Sequence, residues 1–395
     1  MPIKKPKILM LAFELPPFNS GGLGVACLGL TKGLAKLGYD ITFLLPKRLP
    51  YNYSHMKLIF ADDLIEKEGK SEKTKKIFGS KDFLSTYETK KIFQIDNLNF
   101  DQINELLVQR ATMENFDVIH AHDWMTFEAA VKIKNLTGKK LVVQIHSTEI
   151  DRSPLFSLDL YKYNIEKYGM ENADVVIAVS CYTKQLLNKF YGIPNEKIKV
   201  VYNAADLEER KEPNTKLNIK GPIILFLGRI THQKGPNHFL EIAEKVVKQN
   251  PAAVFVVVGN GDMYQEMVSN AAVRGLSGNI IFTGFLRGIE KEIILNSSSL
   301  FLMPSLSEPF GIVALEAANY GMPVIISKQS GVAEVLKNSI TADFWDTDLM
   351  AKEILRLTSN QKKAKKLSER IKENLSNLSW DNSAYQCENA YSSLQ

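Results

Sequence analysis

Two glutamates stand eight positions apart in the run Glu308-Pro309-Phe310-Gly311-Ile312-Val313-Ala314-Leu315-Glu316. The apolar stretch Leu300 to Met303 ends in Pro304 and a polar turn, which puts Glu308 on a loop and Pro309 at the first helical position, where a missing N–H costs nothing. The N–H groups of Phe310, Gly311 and Ile312 then lack intrahelical partners at the positive end of a helix dipole, a ready place for a phosphate or sugar hydroxyl. At 1.5 Å per residue, Glu316 falls roughly 10 Å beyond Pro309. One carboxylate can accept hydroxyl hydrogens from a sugar and the other from a ribose, with a diphosphate between them. Two unrelated acids on one helix would read the same from this segment alone.

Further residues of matching chemistry lie upstream. The strand-like run ending at Leu227 delivers Gly228-Arg229, with Lys234 following before Gly235-Pro236 and a new helical segment. Arginine offers a planar fork to phosphate oxygens and lysine a point charge, so the pair suits a departing diphosphate without a metal; solvated surface cations are the plainer alternative. Near the N-terminus, Pro16-Pro17-Phe18-Asn19-Ser20-Gly21-Gly22-Leu23-Gly24 joins a strand to a helical segment. Without Cβ atoms, Gly21 and Gly22 let backbone N–H groups, with that of Leu23, approach a diphosphate, although a tight turn needs the same residues.

His120-Ala121-His122-Asp123-Trp124 follows another strand and His146 ends the next. His120 and His122 share a strand face, but no third ligand is visible, so a metal is not expected there. Asp123 with Trp124 instead matches a sugar subsite, a carboxylate for hydroxyls and an indole for a pyranose face; packing is the alternative for Trp124. Asp346-Thr347-Asp348 precedes a helix-period run, which makes Asp346 or Thr347 an N-cap rather than a metal ligand.

These residues need strand ends to hold them. Short β-branched runs alternate with helix-period segments throughout, the pattern of doubly wound α/β sheets. One set of strands is Ile8 to Phe13, Ile41 to Leu45, Val118 to Ala121, Leu141 to His146, Val175 to Val179 and Lys199 to Tyr202; the second is Ile223 to Leu227, Val254 to Val258, Ile280 to Thr283, Leu300 to Met303 and Val324 to Ile326. Met56 to Phe60 and Lys91 to Ile95 could add edge strands. The polar stretch 203–221 separates the sets, giving expected domains at 1–205 and 206–379, with a terminal helix at about 380–395 packing back on the first. Two facing Rossmann-like domains leave a cleft at the carboxyl ends of their strands.

At 395 residues, 45% of them apolar and 24% charged, the chain exceeds one usual core and is not disordered. A net charge of +5 argues for neither nucleic acid nor membrane, and the lysines of 361–372 read as a solvated helix face, so peripheral membrane association is not favoured. Three scattered cysteines suit a reducing cytoplasm. The apolar run after Lys7 is too short for a membrane span.

Together the motifs resemble retaining glycosyltransferases of the GT-B fold, sequence family 4, and the related glycogen and starch synthases. The strongest element is Pro304 to Ala317 followed by Gly321-Met322-Pro323-Val324-Ile325, with Gly228-Arg229, Lys234-Gly235 and Ala178-Val179-Ser180 before Asn203 as companions. The segment His120 to Trp124 and the run Ile145 to Arg152 look most like the glucan-synthase branch. The resemblance implies that Arg229 and Lys234 bind the donor diphosphate, Glu316 the ribose, and Glu308 and His146 the transferred sugar, with Asp123 towards the acceptor. Gly259 and Phe285 would line the nucleotide pocket. It also implies a nucleotide-sugar donor such as UDP- or ADP-glucose, a carbohydrate acceptor, no cofactor, and retention by front-face attack. Asn19 stands where ADP-glucose-using synthases usually carry lysine, and Met125 replaces their histidine after the Asp-Trp pair. A purely sensing protein would need no cations at a departing diphosphate, and a glucan phosphorylase would be about twice as long.

Overall fold

The computed structural model describes residues 5–19, 21–66, 98–205, 215–376 and 378–394. The first unit contains β1 (Ile8–Leu11), α1 (Gly22–Lys36), β2 (Ile41–Leu45), β3 (Lys57–Phe60), α2 (Asp63–Glu66), α3 (Phe100–Thr112), β4 (Val118–His122), α4 (Phe127–Thr137), β5 (Lys140–Ile145), α5 (Glu149–Arg152), α6 (Leu160–Asn172), β6 (Val175–Ala178), α7 (Cys181–Tyr191) and β7 (Ile198–Val200). The second contains β8 (Ile223–Leu227), α8 (Pro236–Gln249), β9 (Val254–Val258), α9 (Tyr264–Val273), β10 (Ile280–Gly284), α10 (Gly288–Ser297), β11 (Leu300–Met303), α11 (Ile312–Asn319), β12 (Val324–Ser327), β13 (Ile340–Ala342), α12 (Thr347–Thr358) and α13 (Gln361–Leu375). The chain closes with α14 (Trp380–Ser392).

Both sheets are parallel, in the orders β3-β2-β1-β4-β5-β6-β7 and β10-β9-β8-β11-β12-β13. Helices cover both faces, which is why β1 and β11 read as unbroken apolar runs, and β1, β2, β4 and β11 are all buried along their whole length, Thr42, His120 and His122 included. Met56 to Phe60 contributes the edge strand β3, whereas Lys91 to Ile95 and residues 206–214 of the expected linker lie outside the described residues. The second edge strand, β13, escapes a sequence reading because Ile340-Thr341-Ala342 is too short to show a period.

α14 returns to the first unit and packs along α1. A Cβ at Gly29 would come within 2.1 Å of the Trp380 ring, so that helix crossing requires glycine. Ala384, Cys387, Ala390 and Tyr391 join the same buried cluster as β1 and β4. Among the described residues no helix is long and apolar enough to cross a membrane.

Candidate active site

Each sheet reverses its strand order once, between β1 and β4 in the first and between β8 and β11 in the second. Ligands of open α/β sheets bind off the strand ends at such points. The loops leaving these and neighbouring strands enclose one cleft with a cavity volume of about 520 Å³. It is lined by Gly21, Gly22 and Leu23 after β1, His146 and Ser147 after β5, Arg229 and Lys234 after β8, Gly259 after β9, and Phe285 and Arg287 after β10. The segment Glu308 to Val313, with Glu316, closes it. Of the residues assigned from sequence to donor or acceptor, Asp123 and Trp124 stay out of this lining.

The segment between the two glutamates folds differently from the expectation. α11 starts at Ile312, not Pro309, because Gly311 adopts a left-handed φ of 101° and serves as N-cap. Only glycine suits that position: besides the φ, an added Cβ would crowd Met303, Glu308 and Val332 at 3.1 to 3.2 Å. Pro309 is therefore not a helical residue, and its carbonyl accepts the Ser180 hydroxyl at 2.6 Å. Phe310 is buried and leans on Tyr202. The first-turn donors toward the cleft are the N–H groups of Ile312 and Val313, since that of Ala314 donates to the Gly311 carbonyl at 2.9 Å, and Glu316 lies only about 6 Å along the axis from Ile312.

Charge in the cleft is paired. Lys234 forms an ion pair with Glu308, and Lys291 with Glu316 at 2.7 Å. α1 also begins without a side-chain cap, at Gly21, and its first turn faces the second unit: a Cβ on Gly21 would stand 4.0 Å from Arg229 Nε, and one on Gly22 3.9 Å from Ile312 Cδ1. Two helix N-termini and Arg229 thus converge on one space, an arrangement that stabilises an anion by dipole and by charge. Arg287 reaches across to donate to the carbonyls of Pro17 and Asn19, the latter at 2.6 Å, while its guanidinium lies 4.9 Å from the Phe285 ring centroid.

His146 sits at the opposite end of the cleft. Its backbone N–H donates to Asp123 Oδ1 at 2.7 Å, and its Nε2 lies 3.1 Å from His122 Nδ1. Burial lowers its pKa to about 3, so the ring is neutral at ordinary pH. Asp123, 1% exposed and with φ 59°, is raised by burial to about 7. It orients the His146 loop rather than facing the cleft, correcting its expected place as a sugar contact: the residue that ends a strand turned inward instead of outward. Trp124 packs 5.4 Å from Phe100 and is 5% exposed, so no pyranose stacks on it. The loop after His146 is held by a capping box between Thr148 and Asp151 and by Glu166, which accepts the Glu149 N–H and pairs with Arg152 at 2.6 Å. Asp346 caps α12 through the Leu349 N–H at 3.1 Å, as the sequence implied.

The two units also meet where sequence reasoning did not look. Glu334, from the second unit, accepts the N–H groups of Cys181 at 2.9 Å and Tyr182 at 2.7 Å, the first turn of α7, and the Tyr202 hydroxyl at 2.9 Å. Beside it Ser180 holds the Pro309 carbonyl, and the Tyr182 hydroxyl lies 2.9 Å from Ser307 Oγ. The first turn of α7 is therefore the seat of the loop that carries Glu308. A glutamate in a short 3₁₀ turn gives no sequence signal for this. Arg287 and Lys291 did give one, since they follow β10 as Arg229 follows β8.

Two family models cover the chain nearly end to end: "Glycosyltransferase Family 4" matches residues 20–209 and "Glycosyl transferases group 1" residues 197–374. The chain is a GT-B glycosyltransferase. An uncharacterized glycosyltransferase of Methanocaldococcus jannaschii is 28% identical over 98% of this chain and 97% of its own. The glycogen synthase of Mycobacterium tuberculosis is 25% identical over 85% of this chain and 81% of its own. In fold, the glycosyltransferase resembles the sucrose-phosphate synthase of Thermosynechococcus elongatus, with a TM-score of 0.78 at 18% identity over 99% of both chains.

Proposed function

We propose that this glycosyltransferase moves a hexose, glucose in the first instance, from UDP- or ADP-glucose to a glucan or other sugar acceptor with retention of anomeric configuration. The observation that carries the reading is the convergence of Arg229, Lys234 and the N-termini of α1 and α11 on one cleft that also holds Glu308 and Glu316. In this reading the diphosphate lies between the two helix ends, against Arg229 and Lys234. Glu316 takes the ribose hydroxyls, and Gly259 and Phe285 flank the nucleoside. Glu308 and neutral His146 contact the transferred sugar.

Retention follows from attack on the face the diphosphate leaves. The acceptor oxygen bonds to the anomeric carbon, the bond from that carbon to the phosphate oxygen breaks, and the acceptor proton passes to the departing phosphate. Arg229, Lys234 and the helix dipoles stabilise the charge that grows there. No residue of the cleft needs to act as a covalent nucleophile, and neither a metal nor a cofactor enters the reading.

Asn19 and Met125 favour a second reading, a non-glucan acceptor. Asn19 spends its amide on the Gly21 carbonyl at 2.9 Å, and Met125 is fully buried, so neither offers the donor contacts a lysine or histidine would. A panel of UDP-glucose, ADP-glucose and GDP-mannose with maltooligosaccharide acceptors and product analysis decides between the readings. Chain extension from a glucose donor supports the first, and donor turnover without extension the second.

A further inference from the structure

The His120–His122 pair offered no third metal ligand in sequence, yet the fold supplies one. α1 lays Cys27 over the ends of β4 and β5, so that its thiol, one ring nitrogen of His122 and one of His146 all lie within 4.8 Å of one another. His122 Nδ1 and His146 Nε2 are 3.1 Å apart. Two nitrogens bound at 2.0–2.1 Å on a tetrahedral zinc ion stand about 3.3 Å apart, so this pair is already near coordination spacing. Cys27 and His122 are fully buried. His146 lines the cleft, which gives an ion an entry path from that side.

Charge and ligand type point the same way. Thiolate and imidazole are the donors of zinc and its soft neighbours, whereas magnesium and calcium take oxygen. A thiolate at Cys27 brings one negative charge. Asp123 accepts the His146 backbone N–H and so fixes the loop that carries this ligand.

We propose that Cys27, His122 and His146 form a binding site for a soft divalent cation of the zinc class, beside the sugar end of the cleft, and that its occupation shuts the enzyme off by setting a cation against His146 where the transferred sugar would sit. Binding expels the thiol proton and replaces the His122–His146 hydrogen bond with two metal–nitrogen bonds. The binding half stands on the cluster alone; the shut-off half rests on the reading of His146 as a sugar contact.

Cobalt(II) titration of the EDTA-stripped full chain tests the binding half. The expected result is one equivalent bound, with a near-ultraviolet thiolate-to-cobalt charge-transfer band and intense d–d bands of a four-coordinate ion, displaced by zinc. Cys27→Ser and Cys27→Ala should each remove the charge-transfer band with the fold intact by circular dichroism, while Cys181→Ser, at the exposed thiol, should keep it. No band at equimolar cobalt, a band that survives both Cys27 variants, or one lost with Cys181→Ser overturns the site. Zinc should lower donor turnover about tenfold or more, reversed by EDTA, in the parent but not in Cys27→Ser. Full occupancy with undiminished turnover overturns the shut-off half. Failure of every donor in the panel would remove the proposed function and leave the cobalt spectrum as evidence.

Discussion

Lys234 and Glu308, carried by loops from two different strands of the second sheet, meet as an ion pair inside the cleft, with side chains 15% and 7% exposed. Each neutralises the other until a ligand enters. In the proposed reading, a donor diphosphate competes for the lysine and releases the glutamate toward the sugar.

Changing Arg229 or Lys234 to alanine is expected to lower turnover number more than it weakens donor binding, because charge on the leaving phosphate grows towards the transition state. Loss of one such donor costs on the order of 100-fold or more in rate. Steady-state kinetics with the preferred donor check this, and near-normal turnover in both variants would move the diphosphate elsewhere.

Glu334 tests whether the contact between the units matters to chemistry. Its carboxylate serves two backbone N–H groups and a tyrosine hydroxyl, and an amide has a single acceptor oxygen. Glu334→Gln should lower turnover about tenfold or more, the cost of a lost charged hydrogen bond of roughly 1.5 to 3 kcal/mol. Binding of free nucleoside diphosphate, gripped in the proposed reading chiefly by Arg229, Lys234 and Glu316 of the second unit, should fall less than turnover. A parallel loss of both, with a large drop in melting temperature, would mark Glu334 as merely structural.

His146 should remain neutral through the working range, its pKa lowered by burial to about 3. A histidine with a depressed folded pKa contributes stability that is fully present above its unfolded value of 6.5 and is lost as pH falls towards 3, because the unfolded chain binds the proton first. Side-chain nitrogen NMR should show one neutral tautomer without titration between about pH 5 and 8. A titration near 6.5 would contradict this environment and admit an acid role for the ring.

Turnover needs no divalent metal in this account, since Arg229, Lys234 and two helix N-termini supply the positive charge. Excess EDTA should therefore never lower the initial rate. Loss of activity restored by magnesium or manganese would sink that account.

The alternation of apolar runs was legible because parallel strands buried on both faces, such as Leu300 to Met303, must be apolar throughout. Cleft residues were legible where they follow strand ends, as Arg229 and His146 do. Misreadings came where two local rules compete. Pro309 favours a first helical position, yet Gly311 two residues later takes a left-handed φ and delays the helix. Asp123 ends a strand as cleft residues do, but its own positive φ turns the carboxylate to the His146 backbone. Cys27 and Glu334 act only through residues distant in sequence, and no spacing reveals them.

Calorimetric binding of free UDP and ADP to Glu316→Gln and Glu308→Gln separates Glu316 at the ribose from Glu308 at the sugar. Glu316→Gln should weaken the free nucleotide by about 1.5 to 3 kcal/mol, since the nucleotide keeps its ribose hydroxyls. Glu308→Gln should spare it, while lowering turnover and the affinity for intact nucleotide sugar in a protein whose melting temperature is unchanged. If both substitutions weaken free nucleotide equally, or neither affects any ligand, the two glutamates do not divide the donor between them.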